Sequence, residues 1–258
     1  MIKFQGVGIH SGQPCSIELT PLPVGSGIQF HQGGIIIPAL SCYCVPQSRA
    51  TVLAHHGQVI GTPEHLLSAI AGLGITDVAI HMNGPELPIL DGSAAPFAHA
   101  LQSWPRNGNP PLAIASPLHY QADGTELSIY PSPISRWTVM IEYPNSVVGQ
   151  QWMDWVASPD SYLHEIAPAR TYGFDHELEA LTAQGLAKGA SLQNAILITA
   201  SGYAGPLRFH NELVRHKLLD LMGDLALIGV AVRGHVVAKC PGHRHNTAFA
   251  TIIRDALR

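Results

Sequence analysis

Two stretches of this chain follow one plan, and that repetition constrains the fold more than any other feature. One helical pattern opens near Thr62, carries an apolar face of Leu66, Leu67, Ile70 and Leu73, and ends at Gly72 and Gly74. An aliphatic strand at 78–80 follows it. A longer helical pattern covers 211–227 and leads into a second aliphatic run at 230–232. Each helix carries a histidine near its start, His65 in the first and His216 in the second. Strand-like segments with period-2 alternation or aliphatic runs precede both helices, at 15–19, 27–30 and 35–37 in the first half and at 126–130 and 137–143 in the second. Strands in runs, broken by a few helices rather than by strict βαβ alternation, predict antiparallel sheets with helices on one face. Tandem prolines beside Gly and Asn in the segment Trp104 to Pro111 mark a linker. The pattern fits an α+β fold in two similar units, 1–108 and 109–258, each with an antiparallel sheet and helices on one face.

Composition narrows the function. Of 258 residues 46% are apolar, which is ample for a core, and 12% are charged, with a net charge of −4. That balance supplies no basic face for nucleic acid. No apolar run reaches the ~18 residues needed to span a bilayer, so no transmembrane segment is expected. The start, Met1-Ile2-Lys3-Phe4-Gln5-Gly6, lacks the basic and apolar regions of a secretory signal, and a soluble cytoplasmic protein is expected. The four cysteines, Cys15, Cys42, Cys44 and Cys240, form no C-x-x-C pair and read as free thiols packed like small hydrophobes.

Three segments carry candidate chemistry. In Arg215-His216-Lys217-Leu218-Leu219-Asp220-Leu221-Met222-Gly223-Asp224, the residues His216, Asp220 and Asp224 are spaced i, i+4, i+8 and line one helix face. That polar stripe runs beside core-forming leucines, where unpaired charge is costly. Imidazole and carboxylate at i, i+4 reach a single zinc ion, although the same spacing also arises on ordinary solvated faces. In Thr62-Pro63-Glu64-His65, Thr62 is the expected N-cap, Pro63 the first helical residue, and Glu64 and His65 the first turn. An adjacent Glu and His can divide labour between proton and metal; the plainer alternative is a first-turn Glu favoured by the helix dipole. Gly242-His243-Arg244-His245-Asn246 follows Cys240-Pro241, which places His243 on a loop.

These segments together resemble the UDP-3-O-acyl-N-acetylglucosamine deacetylase family of lipid A biosynthesis. The resemblance runs in order through GVGIHSG (6–12), TPEHLL (62–67), ELPILDGSAAPF (86–97), ARTYGF (169–174), KGASLQNA (188–195), LRFHNELVRHKLLDLMGDLALIG (207–229) and GHRHN (242–246). It implies that His65, His216 and Asp220 are ligands of a catalytic Zn²⁺ whose fourth position is left to water. Glu64 then matches the general base. His243 matches the residue that stabilises the oxyanion and protonates the leaving amine, and Asp224 the carboxylate that orients it. Thr171 resembles the hydroxyl that helps hold the oxyanion. Lys217 resembles a substrate- and charge-binding lysine, and Tyr172 and Phe174 stand at substrate-binding positions. The implied reaction removes the N-acetyl group of a UDP-linked acylated glucosamine and releases acetate.

The implied architecture packs two α+β domains, each a two-layer sandwich of sheet and helix, helix layer to helix layer, with the site between them. The second carries a β-α-β insert near 169–198, where Leu178, Leu181, Leu186 and Leu192 are candidates to line an acyl-chain passage. A monomer is expected. Members of that family usually begin several residues earlier with another strand, so either an edge strand is shortened or the start site is misassigned. Pro63 stands where an aliphatic residue is commoner, and Tyr172 where Phe is usual. A zinc amidase acting on another substrate, and a binding protein with a structural metal, are the rival readings. The acid–base set Glu64, His243 and Asp224 argues against the second, because a structural metal needs none.

Overall fold

Alternation along the N-terminal strands builds a one-faced sheet. In β2 (Pro14–Pro21) the residues Cys15, Ile17 and Leu19 are buried while Ser16, Glu18 and Thr20 face outward. The computed structural model describes residues 1–106, 108–144 and 147–258. Its first half runs β1 (Ile2–Val7), β2, β3 (Ile28–Gln32), β4 (Ile35–Pro38), β5 (Val52–His55), β6 (Gln58–Gly61), α1 (Glu64–Gly72), β7 (Val78–Asn83) and α2 (Ala95–Leu101). The remainder runs β8 (Leu112–Ala113), β9 (Leu118–Ala122), β10 (Thr125–Tyr130), β11 (Arg136–Glu142), β12 (Gln150–Val156), α3 (Pro159–Ser161), β13 (Tyr172–Phe174), α4 (Leu178–Ala183), β14 (Ile196–Thr199), β15 (Gly202–Tyr203), α5 (Glu212–Leu225), β16 (Val232–Arg233), β17 (His235–Lys239) and α6 (His243–Ala256).

The two large sheets share one topology. The first has the order β1-β2-β7-β3-β4, antiparallel throughout except where β7 lies parallel to β3. The second has the order β12-β11-β17-β10-β9, with β17 parallel to β11. In each, the last strand in sequence enters the centre beside the second and third, after the long helix. The chain is thus α+β with a repeated unit. Beside the second sheet, β13 and β14 pair in parallel around α4, with β15 antiparallel at the edge.

Several sequence expectations need correction. Residues 2–7 form a six-residue edge strand. The strand that enters the large sheet after α5 is β17; of the aliphatic run 230–232 only Val232 lies in a strand, the short β16. Val230 is 47% exposed, and the short β16 pairs only with β8. A three-residue aliphatic run does not by itself tell a buried strand from an exposed one. Thr62 does not cap α1: it sits at φ +53 and its hydroxyl donates to Glu86 Oε1 at 2.8 Å, while Pro63 occupies the cap position. Of the expected linker, Trp104 is buried at 7% exposure and Asn107 lies outside the described residues.

α1 packs directly on α5. The crossing is close because Gly223 faces the α1 backbone, where a Cβ would stand 2.0 Å from the carbonyl oxygen of Glu64. That approach sets the first turn of α1 against the polar face of α5. Among the described residues, no helix is long and apolar enough to cross a membrane, and all four cysteines are free.

Candidate metal and acid–base site

The first turn of α1 and the polar face of α5 meet beside a cavity of about 1250 Å³. His65 comes from α1; His216 and Asp220, one turn apart, come from α5. All three are at most 5% exposed, and one ligand atom from each lies within 4.8 Å of the others. His216 Nε2 stands 3.3 Å and His65 Nε2 3.7 Å from Asp220 Oδ1.

The donor set fits a cation. His216 Nδ1 lies 3.0 Å from the carbonyl oxygen of Ala169, which can only accept, so the ring proton sits on Nδ1 and the Nε2 lone pair faces Asp220. Burial holds His216 below the usual imidazole range. Burial and the neighbouring His216 push His65 down to about 3. Burial thus favours the neutral form of both rings. Asp220 Oδ1, buried between them, has no hydrogen-bond partner among the described residues. Burial opposes its ionisation, but His216, Lys217 and His243 outweigh it and hold the carboxyl below the ordinary range. Two imidazole lone pairs and a bare carboxylate oxygen converging without a donor form a group that could hold a metal ion, and these residue types suit zinc.

A second cluster adjoins the first. Glu64, 2% exposed, has its Oε1 3.7 Å from His243 Nε2. His243 Nδ1 lies 2.9 Å from Asp224 Oδ2, and His243 Nε2 is 3.8 Å from Asp220 Oδ2. Burial pushes Glu64 up to about 8, with Asp224 and Asp220 adding to the rise against His243. Burial alone would lower His243, but Asp224, Glu64 and Asp220 together raise it to about 9. His243 is the first residue of α6, not a loop residue as expected. The β-branched Thr247, Thr251 and Ile252 mask that helix in the sequence, while Phe249, Ala250 and Ile253 bury its inner face.

The remaining expected residues lie on the cavity wall. Lys217 Nζ donates to Asp220 Oδ2 at 2.7 Å and stands 5.6 Å from the centre of the Tyr172 ring. Burial opposes its charge, but Asp220 and Tyr143 outweigh that and keep it protonated. Thr171, Tyr172 and Phe174 line the same cavity, as do Leu178, Leu181, Leu186 and Leu192. Tyr172 and Tyr143 join their hydroxyls at 2.8 Å, a contact with no local sequence signal.

Glu86 is another residue the sequence does not single out. Its carboxylate accepts from the backbone N–H groups of His10 and Ser11 at 3.0 and 2.7 Å, and from Thr62. It thereby ties the GVGIHSG turn to the start of α1. Gly8 is needed there because a Cβ would meet Glu86 Oε2 at 2.2 Å.

Comparison with known proteins agrees with this geometry. The family model for LpxC, UDP-3-O-acyl N-acetylglycosamine deacetylase, matches residues 1–255. A protein of Synechocystis sp. named UDP-3-O-acyl-N-acetylglucosamine deacetylase is 38% identical, the match covering 100% of this chain and 97% of that relative. Proteins of the same name from Solibacter usitatus and Myxococcus xanthus are each 40% identical, covering 98% and 95% of this chain and 89% and 81% of their own lengths. A match along nearly the whole chain, with both clusters formed, makes this protein a member of the UDP-3-O-acyl N-acetylglycosamine deacetylase family.

Proposed function

We propose that this chain hydrolyses the acetamide of a UDP-linked 3-O-acyl-N-acetylglucosamine, releasing acetate and a free amine, in the cytoplasmic phase of lipid A biosynthesis. The observation that carries the reading is the junction of the two clusters on one cavity: a metal-ligating triad shares its buried Asp220 with an acid–base pair. The chain would divide into units 1–108 and 109–258, with the site between them.

His65, His216 and Asp220 would hold zinc. When bound, zinc supplies a Lewis acid for the acetyl carbonyl and acidifies a water to a pKa near 7. Glu64 takes the proton from the attacking water. Its buried Oε2, free of partners among the described residues, is the atom suited to it. A dication on the neighbouring ligands would draw the raised Glu64 pKa back toward neutrality, where a general base is most effective. His243 does the opposite work. Charged and held by Asp224 at Nδ1, it presents Nε2–H first to the developing oxyanion and then to the leaving nitrogen. Two groups with opposed protonation needs, set side by side, supply base and acid at one pH.

Thr171 adds a hydroxyl to the oxyanion side. Lys217, kept charged by Asp220, binds the anionic part of the substrate. Tyr172 and Phe174 pack against the sugar. Leu178, Leu181, Leu186 and Leu192, on the cavity wall around α4, would form the passage for the acyl chain.

The test is acetate release from UDP-3-O-acyl-N-acetylglucosamine by zinc-loaded protein. Turnover abolished by a chelator and restored by zinc is the expected result. No acetate from protein shown to carry one zinc would overturn the reading.

A further inference from the structure

The acid–base pair is held from a direction that neither catalytic helix supplies. Thr51 precedes β5 on a loop from the first half of the chain and is 3% exposed. Its hydroxyl lies 2.5 Å from Asp224 Oδ1, a partner 173 residues away in sequence. Its backbone N–H points at Glu64 Oε1 at 3.4 Å. Its carbonyl accepts from Thr62 N at 3.0 Å, which fixes the loop against the start of α1. One residue thus touches both the carboxylate assigned as base and the carboxylate that orients the acid.

A count of donors gives this contact a consequence. Asp224 is fully buried, and its Oδ2 accepts from Asn246 Nδ2 and faces His243 Nδ1, both at 2.9 Å. Thr51 completes the set at Oδ1. Three contacts on one carboxylate, two from groups that here act only as donors, leave it a single orientation. In that orientation Asp224 Oδ2 faces His243 Nδ1, so the ring turns Nε2 toward Glu64 and Asp220. Without the Thr51 hydroxyl, Oδ1 would be a buried, unpaired carboxylate oxygen, and the carboxylate would be free to rotate away from His243.

We propose that Thr51 is a positioning residue for the deacetylase reaction, acting through its hydroxyl on Asp224 and through its N–H on Glu64. The inference rests on the acid–base reading of Glu64, His243 and Asp224 given above. Thr51 lies on the wall of the same cavity, but its hydroxyl and N–H are turned to Asp224 and Glu64 and not to the ligand triad or the open space. Its loss should therefore lower kcat and leave zinc content and KM in place.

The experiment compares Thr51→Val, Thr51→Ser and Asp224→Asn, singly and with Thr51→Val combined with Asp224→Asn, in zinc-loaded full-length protein. Metal content and melting temperature are measured beside kcat and KM for acetate release. Thr51→Val should lose about tenfold or more in kcat, the cost of one hydrogen bond to a buried carboxyl group, with KM within about twofold. Thr51→Ser, which restores the hydroxyl, should recover most of that loss. In the Asp224→Asn background, Thr51→Val should cost little further, because its route to His243 is already gone. If Thr51→Val melts too low to assay, Thr51→Ala takes its place in the comparison. Wild-type kcat in Thr51→Val, an equal loss in Thr51→Ser, or full additivity with Asp224→Asn would each overturn the proposal. A wild-type enzyme that releases no acetate would instead overturn the acid–base reading, so the two failures are distinct.

Discussion

Glu64 and Glu212 occupy the same place in two helices and have opposite environments. Each is the first residue of its helix, α1 or α5, and each is buried, at 2% and 0% exposure. Glu212 is saturated. Arg170 donates to it from its backbone N at 3.0 Å, from Nε at 2.9 Å and from Nη2 at 3.1 Å, and Arg208 N adds a contact at 2.6 Å. Burial opposes its ionisation, but those donors outweigh burial and hold its pKa below the usual carboxylate range. Glu64 receives one long contact from Thr51 and is pushed up to about 8. Burial alone does not mark a carboxylate as functional. The donors around it decide, and a buried carboxylate left short of them is available to take a proton.

The comparison can be broken in several ways. Glu64→Gln should lower kcat by roughly 10²–10⁴-fold at unchanged zinc content, measured by acetate release and metal analysis. It should not lower stability, since it removes an under-satisfied buried acid. Glu212→Ala should do the reverse in kind. It strands the mostly buried Arg170 and should cost about 3–5 kcal/mol in chemical denaturation, with any surviving folded fraction still competent to bind zinc.

Zinc itself should raise the melting temperature of the wild type and of Glu64→Gln alike, by about 2.7 kcal/mol of stability at a hundredfold excess over Kd. His216→Ala should lose that response.

A further pair of effects concerns pH in metal-free protein. Glu212 has a lowered folded pKa, so its contribution is present above the unfolded carboxylate value and is lost as pH falls through the folded one. Glu64 has a raised folded pKa, so its cost grows as pH rises from the unfolded value, near 4.5, to about 8. The stability difference between Glu64→Gln and wild type should be flat below about pH 4.5 and widen up to about pH 8. A difference that widens toward acid instead would contradict the assignment.

How much of this was legible beforehand follows from sequence distance. The α5 face could be read because His216, Asp220 and Asp224 sit at helical spacing on one element. The repeat could be read because the two helices are alike and the strands ahead of them alternate. What stayed hidden depends on contacts between remote segments. Glu64 and Glu212 look equivalent at a helix start, and the donors around Glu212, chiefly Arg170, 42 residues before it, separate their roles. Thr51 lies in a loop with no periodicity and acquires its partners by tertiary packing alone. Thr62 looked like a cap by residue type, but the buried Glu86 carboxylate recruits its hydroxyl in a left-handed backbone conformation. α6 was hidden because β-branched residues depress its local propensity while tertiary burial of Phe249 and Ile253 sustains it.

The most direct test sets zinc-loaded wild type and Glu64→Gln side by side at equal metal content, with acetate release from UDP-3-O-acyl-N-acetylglucosamine as the readout. The expected result is one bound zinc in each and turnover in the wild type alone. Near-wild-type turnover in Glu64→Gln would contradict the central claim that the under-satisfied carboxylate beside the metal triad is the base.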